Sequence, residues 1–239
     1  MKTSSKIFWG FWGTAALLII VFIGVASSVT RAWVSPDGKQ LRNASSVTGP
    51  WKDQTQDLKD FSSLRLDGAF DVSWEQGDSY AVTLSVPERF SEAFSVTQEG
   101  GRLVLSNRLH GRFSELAVRV RIQSPTLTEV TARKSLKLKL TGNPGESLLV
   151  AGNGAIWIEG ESPTPVDRLR VTSRGMTVLQ LAAFPVKNLS LEVHGQAVIT
   201  ARVSDSIEGE VRGSGELRLL GSPARQRLTN HGSVRVRID

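Results

Sequence analysis

Glycine recurs in the second half of this chain at a nearly fixed interval, each time ahead of a short alternating apolar run. Asn153-Gly154 precedes Ala155-Ile156-Trp157-Ile158, and Arg174-Gly175 precedes Met176-Thr177-Val178-Leu179. His194-Gly195, Ser214-Gly215 and His231-Gly232 open the same kind of segment. Successive glycines lie 21, 20, 20 and 17 residues apart. Counting back one period from Gly154 reaches Lys134, where Ser135-Leu136-Lys137-Leu138 keeps the alternation without the glycine. A fixed period near 20 residues with two-residue alternation inside it is a repeat signature. One such unit cannot bury its apolar face alone, but stacked units cover one another at a spacing of about 4.8 Å. Glycine at each corner permits a positive φ, which a side chain would strain.

The alternation assigns sides. Two and four residues past the corners stand Leu136/Leu138, Ile156/Ile158, Thr177/Leu179, Ala197/Ile199, Leu217/Leu219 and Val234/Val236, nearly all apolar and therefore inward. Val150, Val171, Leu191 and Val211 form a matching inward column before the corners. The expected fold is all-β, a parallel β-helix or solenoid over residues 59–239. Residues 60–126 alternate without the short period and contain an earlier corner at Gly68. They read as a larger first coil carrying hairpin excursions, with Glu99-Gly100-Gly101 as one turn.

Ahead of this domain, residues 7–30 carry no charge and include Ala15-Ala16-Leu17-Leu18-Ile19-Ile20-Val21-Phe22-Ile23. An apolar helix of about 20 residues crosses a bilayer. The expectation is a transmembrane anchor, or a signal segment cleaved near Ala26-Ser27-Ser28, behind a basic tail at residues 1–6. Residues 31–58 read as a linker, with Ser35-Pro36-Asp37-Gly38 and Gly49-Pro50 as breakers. The implied location is the cell envelope: tethered to the inner membrane and facing the periplasm, or periplasmic or secreted after cleavage. The whole domain follows the apolar segment, so it would be exported.

The chemistry that the composition excludes is extensive. With no cysteine there is no disulfide, thiolate metal site or cysteine nucleophile. The net charge is +6, which suits mild attraction to anionic polymers or headgroups, but no nucleic-acid-binding motif accompanies it. His194 and His231 lie two coils apart by the glycine count, too far for one metal ion. Glu192 and Glu210, the acids nearest one another, fall in different columns when the glycines are aligned. Ser214 in Gly213-Ser214-Gly215 lacks the spacing and the helix of a nucleophile elbow. No catalytic residue, metal site or cofactor is expected.

Phe61-Ser62-Ser63-Leu64-Arg65-Leu66-Asp67-Gly68-Ala69-Phe70-Asp71-Val72, Gly152-Asn153-Gly154-Ala155-Ile156 and Gly213-Ser214-Gly215-Glu216-Leu217-Arg218-Leu219-Leu220-Gly221 together resemble the auto-transporter adhesin head GIN domain family of bacterial envelope proteins. The resemblance covers about residues 60–239. It implies an exported parallel β-helix and suggests adhesion, and it brings no catalytic residues. Lys134 and Met176 depart from the family's small corner residues.

The candidate binding face is the outward column three residues past each corner: Lys137, Trp157, Val178, Val198, Arg218 and Arg235. It predicts an apolar patch with cations at both ends, suited to an anionic envelope glycan or a membrane protein, unless the hairpins or a second copy cover it. The structural corners are Gly68, Gly154, Gly175, Gly195, Gly215 and Gly232. The leading functional expectation is a non-enzymatic envelope binding, adhesion or scaffold module. The alternatives are an envelope-stress sensing domain coupled to a membrane partner and, behind it, a glycan-active enzyme.

Overall fold

The computed structural model describes residues 49–110 and 116–239. The expected membrane-spanning or signal segment at 7–30 lies outside the described residues. Among the described residues no helix is long and apolar enough to cross a membrane.

The described region is all-β. In chain order the strands are β1 (Trp51–Gln56), β2 (Ser63–Asp67), β3 (Phe70–Gln76), β4 (Ala81–Pro87), β5 (Phe94–Glu99), β6 (Arg102–Asn107), β7 (Val118–Ser124), β8 (Glu129–Ala132), β9 (Leu136–Thr141), β10 (Ser147–Gly152), β11 (Ile156–Glu161), β12 (Val166–Leu220) and β13 (Arg225–Ile238). A short 3-10 turn, Glu88–Ala93, joins β4 to β5. β12 is one extended segment of 55 residues that contains three of the glycine corners.

Pairing sorts the strands into two walls that meet at the corners. The wall ahead of the corners runs β5-β6-β2-β8-β10-β12, and the wall after them runs β1-β4-β7-β3-β9-β11-β12, so β12 belongs to both. From β9 onward each rung sits one sequence period from the next. Leu136 pairs with Ile156, and Ile156 with Thr177, in parallel register. Val130 pairs with Val150, and Val150 with Val171, on the other wall.

The inward positions build one core. Leu64, Leu66, Val130, Leu148, Val150 and Val171 close it from one wall, and Phe70, Val72, Leu136, Leu138, Ile156 and Ile158 from the other. All are 1% exposed or less. Each such side chain contributes about 1.5–3 kcal/mol on burial. Trp74 is buried among them, and its indole N–H donates to Ser124 Oγ at 2.8 Å, so that polar atom is satisfied.

Three expectations need correction. Residues 51–56, assigned above to the linker, form β1, because Trp51 to Gln56 can pair antiparallel with Pro87 to Val82. The strands of residues 75–125 do not fold over a wall. β4 pairs antiparallel with β7, and β5 with β6, so they lengthen the two walls at one end. Within that end, β6 and β7 form a rung outside β2 and β3. Beside Gly68, that rung carries Asn107. Its Nδ2 donates to the Leu116 carbonyl, and its Oδ1 accepts from the Leu109 N–H.

The third correction concerns register. Gly175 packs against the Gly154 carbonyl and Gly195 against that of Gly175, as the count predicts. The next glycine on this stack is Gly213, followed by Gly232. Gly215 instead packs on Ala197. Both glycines leave the alternation intact, since they differ by two residues. Gly154 itself is not among the positive-φ glycines. A Cβ there would stand 2.9 Å from the Lys134 carbonyl oxygen, so close backbone approach, not φ, requires it.

Candidate functional site

The register places the outward column of the post-corner wall. Asp71 pairs with Lys137, Lys137 with Trp157, and Trp157 with Val178. Val198 follows Val178 by the Gly175–Gly195 step. With Gly215 on Ala197, the residue beside Val198 is Glu216, and Glu216 pairs with Arg235. Arg218 stands one column away, beside Thr200, and pairs with Arg237. Lys137, Trp157, Val178, Val198 and Arg235 thus share a column, and Arg218 leaves it. The expected cations at both ends become Lys137 on one side and a Glu216–Arg235 step on the other.

The patch itself is apolar and layered. Val178 is only 2% exposed although it points away from the core, and it lies outside the core cluster. Its rung neighbour Trp157 is half-buried, and Val198 is 43% exposed. The Trp157 indole N–H is buried without a hydrogen-bond partner. A donor in that state lacks the compensation that buried polar groups normally find. β4 and β1 continue this wall edgewise, so among the described residues these strands do not lie over the patch.

Polar groups border the patch. Asp71 lies between Arg119 and Lys137 on the neighbouring rungs. Desolvation by burial pushes its carboxyl up from the ordinary value, against the pull of Lys137 and Arg119. Lys137 Nζ lies 4.0 Å from Glu159 Oε1. Arg119 stacks over the Trp51 ring at 4.7 Å.

The other wall brings together two acids that the sequence reading separated. Gly209 packs on the Leu191 backbone, so Glu210 sits directly beside Glu192, about 4.8 Å away by the rung spacing. Arg212 and His231 both engage Glu210, the latter at 2.9 Å. The Arg212 hydrogen bond holds the Glu210 carboxyl below its usual value, helped by the charges of Arg212, His231 and His194. A glycosidase's general acid needs the opposite, a carboxyl whose pKa is raised. Glu192 faces Arg170 at 3.8 Å. Among the described residues no group of three His, Asp or Glu is arranged to hold a metal ion.

The family described as "Putative auto-transporter adhesin, head GIN domain" matches residues 60–223. The chain belongs to this family. The GIN-domain chain also resembles solved structures. A Bacteroides fragilis NCTC 9343 protein described as a putative adhesin is 16% identical, with a TM-score of 0.54 over 80% of this chain and 97% of that one. A Parabacteroides distasonis ATCC 8503 protein described as a putative lipid binding protein is 14% identical, with a TM-score of 0.45 over 79% of this chain and 97% of that one. The first of these supports the fold. No curated protein matches the GIN-domain chain.

Proposed function

We propose that this chain is an exported, non-enzymatic adhesion module of the cell envelope that holds an extended partner against the post-corner wall of a parallel solenoid. The observation that carries this reading is the Trp157–Val178–Val198 patch, an apolar column on an outward face with an unpartnered indole N–H. Aromatic side chains on otherwise polar faces are favoured contact sites. A flat wall of stacked rungs suits a long contact more than a deep pocket. An envelope glycan or a membrane protein fits that description, and a second copy of the chain would compete for the same patch. Membership of an adhesin-type family and the uncharged segment at 7–30 support export, with that segment as the tether.

The test is binding of the full-length chain to isolated envelope material, with Trp157→Ala and Val198→Ser beside the unaltered protein. The expected result is at least a tenfold loss of binding on the order of a hot-spot truncation, with an unchanged urea midpoint for Val198→Ser. Equal binding by all three proteins would remove the patch from the mechanism.

A further inference from the structure

The pre-corner wall carries a second feature that does not involve Trp157. Arg168, Asn188, Ser206, Glu208, Arg225 and Arg227 line a shallow depression of about 290 Å³. Its floor is tied together: Ser206 Oγ donates to Asn188 Oδ1 at 2.7 Å, and Asn188 Nδ2 donates to the Asp167 carbonyl at 3.0 Å. Ser206 pairs with Arg225 and Glu208 with Arg227, so the two arginines occupy one side of the depression. Arg168 stands on the rung beside β10 on the other side. From Arg168 past Asn188 and Ser206 to Arg225 is three rungs, about 14 Å.

Elsewhere on the molecule arginines are mostly spoken for. Arg170, Arg212, Arg218 and Arg237 each engage a carboxylate, as do Arg102 and Arg121 at the far end. Among the described residues Arg168, Arg225 and Arg227 have no ion pair or side-chain hydrogen bond, and Glu208 is the one acid lining the depression. The nearby Asp167 is already matched by Lys187 at 2.7 Å. The depression therefore carries a surplus of two positive charges on forked guanidinium groups, the geometry that suits carboxylate and phosphate oxygens.

We infer that this arginine cleft binds an anionic polysaccharide, with Arg168 and the Arg225/Arg227 pair engaging separate acidic groups of one chain. The backbones that carry Arg168 and Arg225 stand about 14 Å apart, so a ligand with several acidic groups along its length matches this spread better than a single oxyanion. The cleft is open, which lets a polymer pass through it. Asn188 and Ser206 offer the polar floor that sugar hydroxyls need, and no aromatic side chain lines the cleft to stack a nucleobase.

The experiment titrates the full-length chain with polygalacturonate, polyphosphate, neutral dextran, monomeric galacturonate and single-stranded DNA at about 0.15 M salt. Binding to polygalacturonate or polyphosphate, but not to dextran or the monomer, is expected, and the two polymers separate carboxylate from phosphate ligands. Arg225→Ala/Arg227→Ala and Arg168→Ala should each weaken the polymer on the order of tenfold. Arg225→Lys/Arg227→Lys should retain part of the affinity. Lys52→Ala/Lys139→Ala removes the same charge from the other wall and should change nothing. The inference is overturned by absence of polymer binding, by equal loss in the lysine control, or by DNA binding with the same arginine dependence. Trp157→Ala is expected to leave this binding intact, so the cleft and the patch can fail separately.

Discussion

Gly209→Ala should be far more damaging than its size suggests. Gly209 has φ +137°, and a Cβ there would collide with the Leu191 backbone carbonyl on the preceding rung. A side chain held in a sparsely populated backbone region costs roughly 1–3 kcal/mol. Pushing the rungs apart to relieve the collision forfeits one or two ladder hydrogen bonds at about 0.5–1.5 kcal/mol each. The combined loss is about 1.5–6 kcal/mol, a large share of the 5–15 kcal/mol typical of a domain. Gly100→Ala is the matched control: its φ is +60° and a Cβ would meet nothing within 4 Å, so the expected cost is only about 1–2 kcal/mol. Urea denaturation of both variants reads the difference. Hydrogen exchange should show the loss concentrated in the rungs beyond Leu191, because stacked rungs depend mainly on their neighbours. If Gly209→Ala were no less stable than Gly100→Ala, close approach to Leu191 would not be what requires glycine at position 209.

Thr177 is fully buried with an unpartnered hydroxyl, so Thr177→Val should raise stability by about 1 kcal/mol in urea titration; a fall would mean the hydroxyl has a partner such as a buried water. Trp157→Phe removes the orphaned indole N–H and should cost less than about 1 kcal/mol, whereas Trp157→Ala also loses the ring's buried area and should cost about 1–2 kcal/mol. The Asp71 carboxyl titrates above its ordinary value of 3.8 because burial disfavours its charge, so the folded state holds this proton more tightly than the unfolded chain does. Its ionisation therefore destabilises the fold as pH rises through the folded pKa, with no penalty below the unfolded value. Asp71→Asn should accordingly gain stability at neutral pH and match the parent in acid, and a constant offset at all pH values would contradict that cause.

Much of the fold was legible because one physical demand repeats. Every rung needs a corner where backbones nearly touch and an inward apolar pair on either side, and Gly154, Gly175 and Gly195 announce it in sequence. The same logic fails at Gly213 and Gly215. Both preserve the two-residue alternation, so pattern alone has no means of choosing, and the wrong choice carries Arg218 into the candidate column and hides the Glu192–Glu210 juxtaposition. Close approach to the Gly195 carbonyl decides for Gly213. Asn107 escaped notice for a different reason, since a side chain that bonds a nearby carbonyl and N–H leaves no periodic trace. The arginine cleft was invisible because it gathers residues from rungs whose register the glycines had misaligned.

The interleaving of β2, β3, β6 and β7 sets an order of assembly. Phe70 of β3 lies between Val118 and Leu136, both of which come later in the chain. As the chain emerges from its N-terminus, β3 has no parallel neighbour until β7 follows it, and β1 must wait for β4. Closing the Phe70–Val118 loop costs roughly 0.8 kcal/mol more entropy than closing the Leu136–Ile156 loop. Later rungs each find a finished edge one period behind them. The first strands to appear thus wait for partners made later, and a partly made chain keeps one edge of β3 open until β9 pairs with it.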